Sequence, residues 1–192
     1  MQGTIRTFLV FSIMMTVSGC SSESRNLKPT ELLEEWQTIE TDDGVASIEM
    51  PSRPKRSNEK RSNTEGDFVV HKAELQFRQV KIDFDNFVVS PKGGDVTPEE
   101  YFEKVKDRLK NELINNVSYE ILAEKQMEQN GFQGMRLKLD APAFKATVIY
   151  LFFIVDDRVY CGRAVHPEWD TDNAVARRVI DSFKILKTKQ KK

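Results

Sequence analysis

Cys161 and His166 carry the sharpest chemistry in this chain, because an imidazole that takes the proton from a thiol makes a nucleophile. Five positions of extended strand separate them by about 16 Å, so they meet only where the chain folds back. A buried, inert thiol is the reading that spacing favours. His166, with Glu168, Asp170 and Asp172, offers one imidazole and three carboxylates, donors suited to a divalent cation. These acids lack the one-three-five order and the glycine of a calcium loop. The acid pairs Asp156–Asp157 and Glu168–Asp170 could divide acid and base roles in a hydrolase, although neighbouring acids of this kind are commonly turn formers. His71, the other of the two histidines, falls on the apolar side of an alternating segment and reads as a hydrogen-bonded sheet residue. The chain has no Gly-x-Ser-x-Gly, His-Glu-x-x-His, phosphate-binding glycine loop or Cys-x-x-Cys. No cofactor and no metal are implied.

Binding chemistry is easier to find. Arg53, Lys55, Arg56, Lys60 and Arg61 form a basic run that reads as a solvated loop between strands, able to touch anionic groups. Trp169, beside Pro167, is a large aromatic in an expected loop, where it either packs back on the sheet or anchors a partner. Arg53, Lys55, Arg56 and Trp169 are therefore the candidate partner-binding residues.

The remaining cysteine has a different chemistry. Arg6 precedes an apolar run from Phe8, about ten residues long and too short to span a bilayer, which ends at Val17-Ser18-Gly19-Cys20. That order resembles a bacterial lipoprotein signal, in which small residues precede the cut and the cysteine thiol receives diacylglycerol. The resemblance implies cleavage after residue 19 and a lipid on Cys20. The competing readings are an ordinary signal peptide with an incidental cysteine and an uncleaved core segment. Each buried methylene contributes about 0.8 kcal/mol and stable anchoring takes two chains, which one diacylglyceryl group supplies. The expected location is the cell envelope, on a bacterial membrane.

Removing residues 1–19 takes away one cation and no acid, so a formal net charge of −1 becomes −2. A domain so balanced has no overall field for nucleic acid. With Cys20 lipidated, Cys161 has no partner for an intramolecular disulfide, and the core alone must hold the fold. The expected organisation is a signal peptide at 1–19, a lipidated tether at 20–35, one domain at 36–187 and a basic tail at 188–192. A flexible tether of that length holds the domain on the order of 20 Å from the bilayer.

The elements that position these residues read mostly as strands. Trp36–Glu40 and Val45–Met50 flank Asp43-Gly44, and Tyr119–Gln129 and Phe132–Asp140 flank Asn130-Gly131, both hairpin signals. Phe68–Phe77 and Val80–Val89 alternate, with Lys81, Asp83 and Asp85 on the polar side. Lys145–Val155 is apolar on both faces and must be covered on both. Asp156-Asp157 turns the chain into Arg158–Val165. Thr97, Pro98 and Glu100 open a helix whose stripe is Phe102, Val105, Leu109 and Leu113, ended by Asn115-Asn116. A last helix over about Thr171–Ser182 precedes a short strand at Ile185-Leu186.

Taken in order, Trp36, Asp43-Gly44, the segment Ile48–Pro54, the Thr97-Pro98 helix, Gly131-Phe132-Gln133-Gly134, Arg158-Val159-Tyr160 and Ser182–Ile185 resemble the PsbP-like superfamily over about residues 36–186. The resemblance implies an α+β fold: an α/β/α sandwich with a mostly antiparallel central sheet flanked by helices. It also implies a non-enzymatic binding or assembly module, here lipid-anchored, whose partner is an envelope protein or a small ligand. The alternatives are an envelope hydrolase using one of the acid pairs, and a carrier of a small apolar ligand in a pocket lined by Tyr150, Phe152 and Tyr160.

Overall fold

Tight turns set the topology. The computed structural model describes residues 36–63, 66–88, 97–170 and 172–188. Its elements are β1 (Gln37–Glu40), β2 (Ala46–Met50), β3 (Lys55–Asn63), β4 (Gly66–Phe77), β5 (Val80–Val88), α1 (Pro98–Val117), β6 (Glu120–Gln129), β7 (Phe132–Ala141), β8 (Ala146–Val155), β9 (Arg158–Pro167), α2 (Ala174–Asp181) and β10 (Lys184–Ile185). The β6–β7 turn holds Asn130 and Gly131 at φ 52° and 84°, the left-handed region that Asn and Gly tolerate best. Asp156, at φ 56°, turns β8 into β9.

Seven strands form one antiparallel sheet in the order β3-β4-β5-β9-β8-β7-β6, and β1-β2-β10 form a second, smaller one. The crossing from β5 to the far edge is made by α1, which lies over one face. Thr97 caps it through the Glu100 amide while the Glu100 side chain returns to the Thr97 amide, a complete capping box. Its Phe102, Val105, Leu109 and Leu113 pack with Met135, Leu137, Leu139, Val148, Tyr150 and Phe152. The helix runs on to Val117, past the expected stop at Asn115-Asn116, and ends where Ser118 adopts the left-handed conformation at φ 56°.

The opposite face is covered by two things at once. The Asn173 side chain caps α2 at the Ala176 amide, and Ala176, Val179 and Ile180 pack with Phe84, Phe153, Phe183 and the β2 residues Ile48 and Met50. Helices do lie on both sides of the sheet, but α2 is short and shares its layer with the small sheet. The mostly antiparallel sheet expected from sequence is present, and the helix-flanked sandwich is matched only roughly.

β8 is covered on both faces, as its pattern requires. Phe152 stacks on Phe102 of α1 with ring centroids 6.3 Å apart, and Phe153 stacks on Phe183 at 5.6 Å. Each fully buried side chain of this kind contributes about 2–3 kcal/mol. Gly134 makes the Phe153 position possible, because a Cβ there would come within 2.5 Å of the ring and 2.6 Å of the Phe152 carbonyl. The basic run is not a loop: Lys55–Asn63 is the edge strand β3, paired with β4 from Lys55 opposite Glu74 to Asn63 opposite Gly66. Its charges suit an edge, since they discourage pairing with another chain.

Candidate functional site

The loop after β9 presents the most exposed aromatic. Trp169 is 74% exposed, which decides against packing back on the sheet. The backbone around it is tied down: the Glu168 amide donates to the Lys145 carbonyl at 3.0 Å and the Asp170 amide to the Pro167 carbonyl at 3.1 Å. Asn173 Nδ2 donates to the Asp170 carboxylate at 2.6 Å, which joins the loop to the cap of α2. Phe144, 38% exposed, precedes the Lys145 carbonyl that holds Glu168. A fixed loop bearing an exposed indole is suited to anchoring a partner.

Arg53, Lys55 and Arg56 are exposed at the start of the β3 edge. Arg56 is already engaged, donating to Asp42 Oδ1 at 2.6 Å and to the Glu40 carbonyl at 2.9 Å. With Asn58, His71 and Asn86 it borders a water-sized hollow of about 30 Å³. His71 Nδ1 lies 2.9 Å from Asn58 Oδ1 across the β3–β4 pair. β4 and β5 stand between this edge and β9, so strand spacing alone puts the basic residues about 14 Å or more from the Trp169 side. The structure thus divides the candidate partner-binding residues into two surfaces. Cys20 lies outside the described residues.

Several of the catalytic candidates have other partners. His166 is not in a loop but on β9, 2% exposed, with Nδ1 3.1 Å from the Pro167 carbonyl. Cys161 is buried, its thiol donating to the Asp85 carbonyl oxygen at 3.6 Å. Burial pushes that thiol well up, and the Asp85 charge adds to the effect. Asp156 accepts from Lys187 at 2.6 Å, and Asp172 pairs with Arg177. Among the described residues no group of three or more His, Cys, Asp or Glu side chains could hold a metal ion. The apolar-ligand pocket is also corrected: Tyr150 and Phe152 pack on the α1 face of the sheet and Tyr160 on the opposite face, so the three cannot line one cavity.

Sequence reading missed a buried charge cluster on the α1 face. Asp83 and Asp85, read as the polar side of β5, are 1% and 7% exposed. Arg163 on β9 donates to Asp83 Oδ2 through Nε at 2.9 Å and Nη2 at 2.5 Å, and Lys72 on β4 stands 3.5 Å from Asp83 Oδ1. Asp83 Oδ1 and Asp85 Oδ1 are buried without a hydrogen-bond partner. Burial raises both acids, but at Asp83 Arg163, Lys72 and Lys81 together outweigh it and hold that carboxyl below its ordinary range. At Asp85 burial is reinforced by the Asp83 charge, and the carboxyl is pushed up to about 7. The one available signal was Arg163 in the middle of an apolar strand, which needs a buried partner.

No protein-family model matches the chain, and no curated protein does. Among solved structures it is similar to the solution structure of cyanobacterial PsbP (CyanoP) from Synechocystis sp. PCC 6803, with a TM-score of 0.55 over 79% of this chain and 92% of that one. The fold is PsbP-like. At 14% identity the likeness is one of fold alone. A protein of unknown function from Pseudomonas aeruginosa, PA94, aligns over 71% of this chain and 85% of its own at a TM-score of 0.39 and 11% identity. The PsbP-like frame accounts for the antiparallel sheets and the two helices and assigns no role to Trp169 or to the buried acids. No described helix is long and apolar enough to cross a membrane.

Proposed function

We propose that this chain is a lipid-anchored cell-envelope module that binds or assembles with an envelope partner and is not an enzyme. The observation that carries the reading is Trp169, 74% exposed on a loop tied by backbone bonds to Lys145 and Pro167. An indole held out in this way offers a large rigid contact at low entropic cost. Arg53, Lys55 and Arg56 form a second, electrostatic contact surface on the β3 edge, and Cys20 carries the lipid. The acids of the hydrolase alternative have structural tasks that fit this reading: Asp170 buttresses the α2 cap and Asp156 forms a turn.

Two measurements test it. Metabolic labelling with a clickable fatty acid should mark the wild-type chain and leave Cys20→Ser unmarked; equal labelling removes the anchor from the proposal. Trp169→Ala should lower recovery of partners cross-linked in intact envelopes by about tenfold, with an unchanged thermal melt. Unchanged recovery, with turnover in a hydrolase screen that Glu168→Gln abolishes, would replace the binding reading with the enzyme one.

A further inference from the structure

The two buried acids face an unusually complete set of charged and titratable groups. β5 supplies Asp83 and Asp85 themselves and Lys81, β4 supplies Lys72 and the Glu74 that pairs with both lysines, β9 supplies Arg163 and Cys161, β8 supplies Tyr150, and Arg61 of β3 acts on Asp85 at longer range. Tyr119, the second residue beyond the end of α1, is 4% exposed and interacts electrostatically with Arg163 and Asp83. Its amide donates to the Leu113 carbonyl at 3.3 Å, so a residue electrostatically coupled to the cluster is hydrogen-bonded to the last turns of α1.

The geometry draws two cations to Asp83: Arg163 on its Oδ2 and Lys72 at 3.5 Å from its Oδ1. Two of the three Arg163 guanidinium nitrogens, Nε and Nη2, converge on the same oxygen of Asp83. Asp85 Oδ1 is buried with no hydrogen-bond partner, and a second charge there must be held away from solvent beside the charge of Asp83. A neutral carboxyl avoids that cost. We infer that Asp83 and Asp85 form a buried proton-binding site, and that loss of its proton from Asp85 loosens the C-terminal end of α1 and Tyr119 from the sheet. No bond other than Asp85 O–H breaks, and the proton passes to solvent. The site lies on the opposite sheet face from α2 and the small sheet and does not depend on the binding role given to Trp169.

Burial, with the Asp83 charge behind it, places the transition where a neutral medium would be poised, since Asp85 is pushed up to about 7. Carbon-13 NMR of the chain in mild detergent reads the side-chain carboxyls directly and needs no variant. The Asp85 carboxyl should titrate near neutrality and the Asp83 carboxyl below the ordinary range. Hydrogen exchange, corrected for intrinsic rate, should rise about tenfold across the end of α1 from about pH 6 to about pH 8, with β8 unchanged. Asp85→Asn should abolish that rise. Asp83→Asn should bring the Asp85 midpoint down, because the neighbouring charge is gone. An Asp85 carboxyl that titrates near pH 4, an α1 response that persists in Asp85→Asn, or a midpoint unmoved by Asp83→Asn overturns the inference.

Discussion

The Tyr160 hydroxyl donates to Asp43 Oδ2 at 2.6 Å, and in doing so joins the middle of the large sheet to the turn between β1 and β2. Thr41 completes the turn, donating to Asp43 Oδ1 at 2.7 Å and accepting from the Ala46 amide at 3.1 Å. Burial raises Asp43, but these hydrogen bonds outweigh it and hold the carboxyl below its ordinary range. Tyr160→Phe should therefore cost about 1–2 kcal/mol in denaturant unfolding, the worth of a partly exposed bond to a charged group. Arg163→Met should cost more, about 3–5 kcal/mol by the same measurement, because it takes away the guanidinium hydrogen-bonded to buried Asp83 and leaves the more distant Lys72. A loss below 1 kcal/mol would mean that water reaches the cluster.

Among the elements, β8 and β3 show opposite degrees of legibility in sequence. β8 announces itself, since ten residues apolar on both faces admit no other placement, and Phe152→Ala should cost about 3–5 kcal/mol in denaturant melts. Its neighbour β7 supplies a stricter check. Gly134→Ala puts a methyl inside the Phe153 ring, so it should fall at the severe end of that range or prevent folding, read by soluble yield and near-ultraviolet circular dichroism. β3 is illegible for a physical reason: Lys-Arg-Ser-Asn-Glu-Lys-Arg-Ser-Asn has no apolar alternation, and the segment is a strand because its main chain pairs with β4 at an edge where the side chains of residues 55–60 stay in water. The turn signals Asp43-Gly44 and Asn130-Gly131 and the cap at Thr97 are local and were readable. Asp83 and Asp85 were misread because polar alternation cannot reveal that Arg163, 80 residues away, meets one of them beneath the α1 layer.

At the scale of the whole molecule these carboxyls give stability a pH dependence with two arms. Asp83 and Asp43, lowered in the folded state, contribute stability that is present above the ordinary carboxylate range and lost as pH falls through their folded values. Asp85, raised to about 7, does the reverse: its contribution is complete below the ordinary range and disappears as pH rises toward neutrality. Thermal melts should therefore be highest near pH 4–5 and decline toward pH 7, by up to about 1.4 kcal/mol per pH unit for the one proton. Asp85→Asn should flatten the neutral arm and leave the acid arm in place; a neutral arm unchanged by the substitution would point to another group.

The small sheet also decides how the domain responds to being pulled. Trp36 leads directly into β1, a four-residue strand at the margin of the three-stranded sheet, and the Trp36 ring lies against the Arg178 guanidinium at 4.0 Å. Tension entering from the amino-terminal side meets that stacked ring first, then the β1–β2 pairs between Gln37 opposite Met50 and Glu40 opposite Ser47, taken one after another. The seven-stranded sheet shares no ladder with β1 and is joined to its end through Arg56, which donates to the Glu40 carbonyl. A chain held by its leading end can thus lengthen by the span of one short strand while Trp169, on β9's side of the molecule, keeps its place.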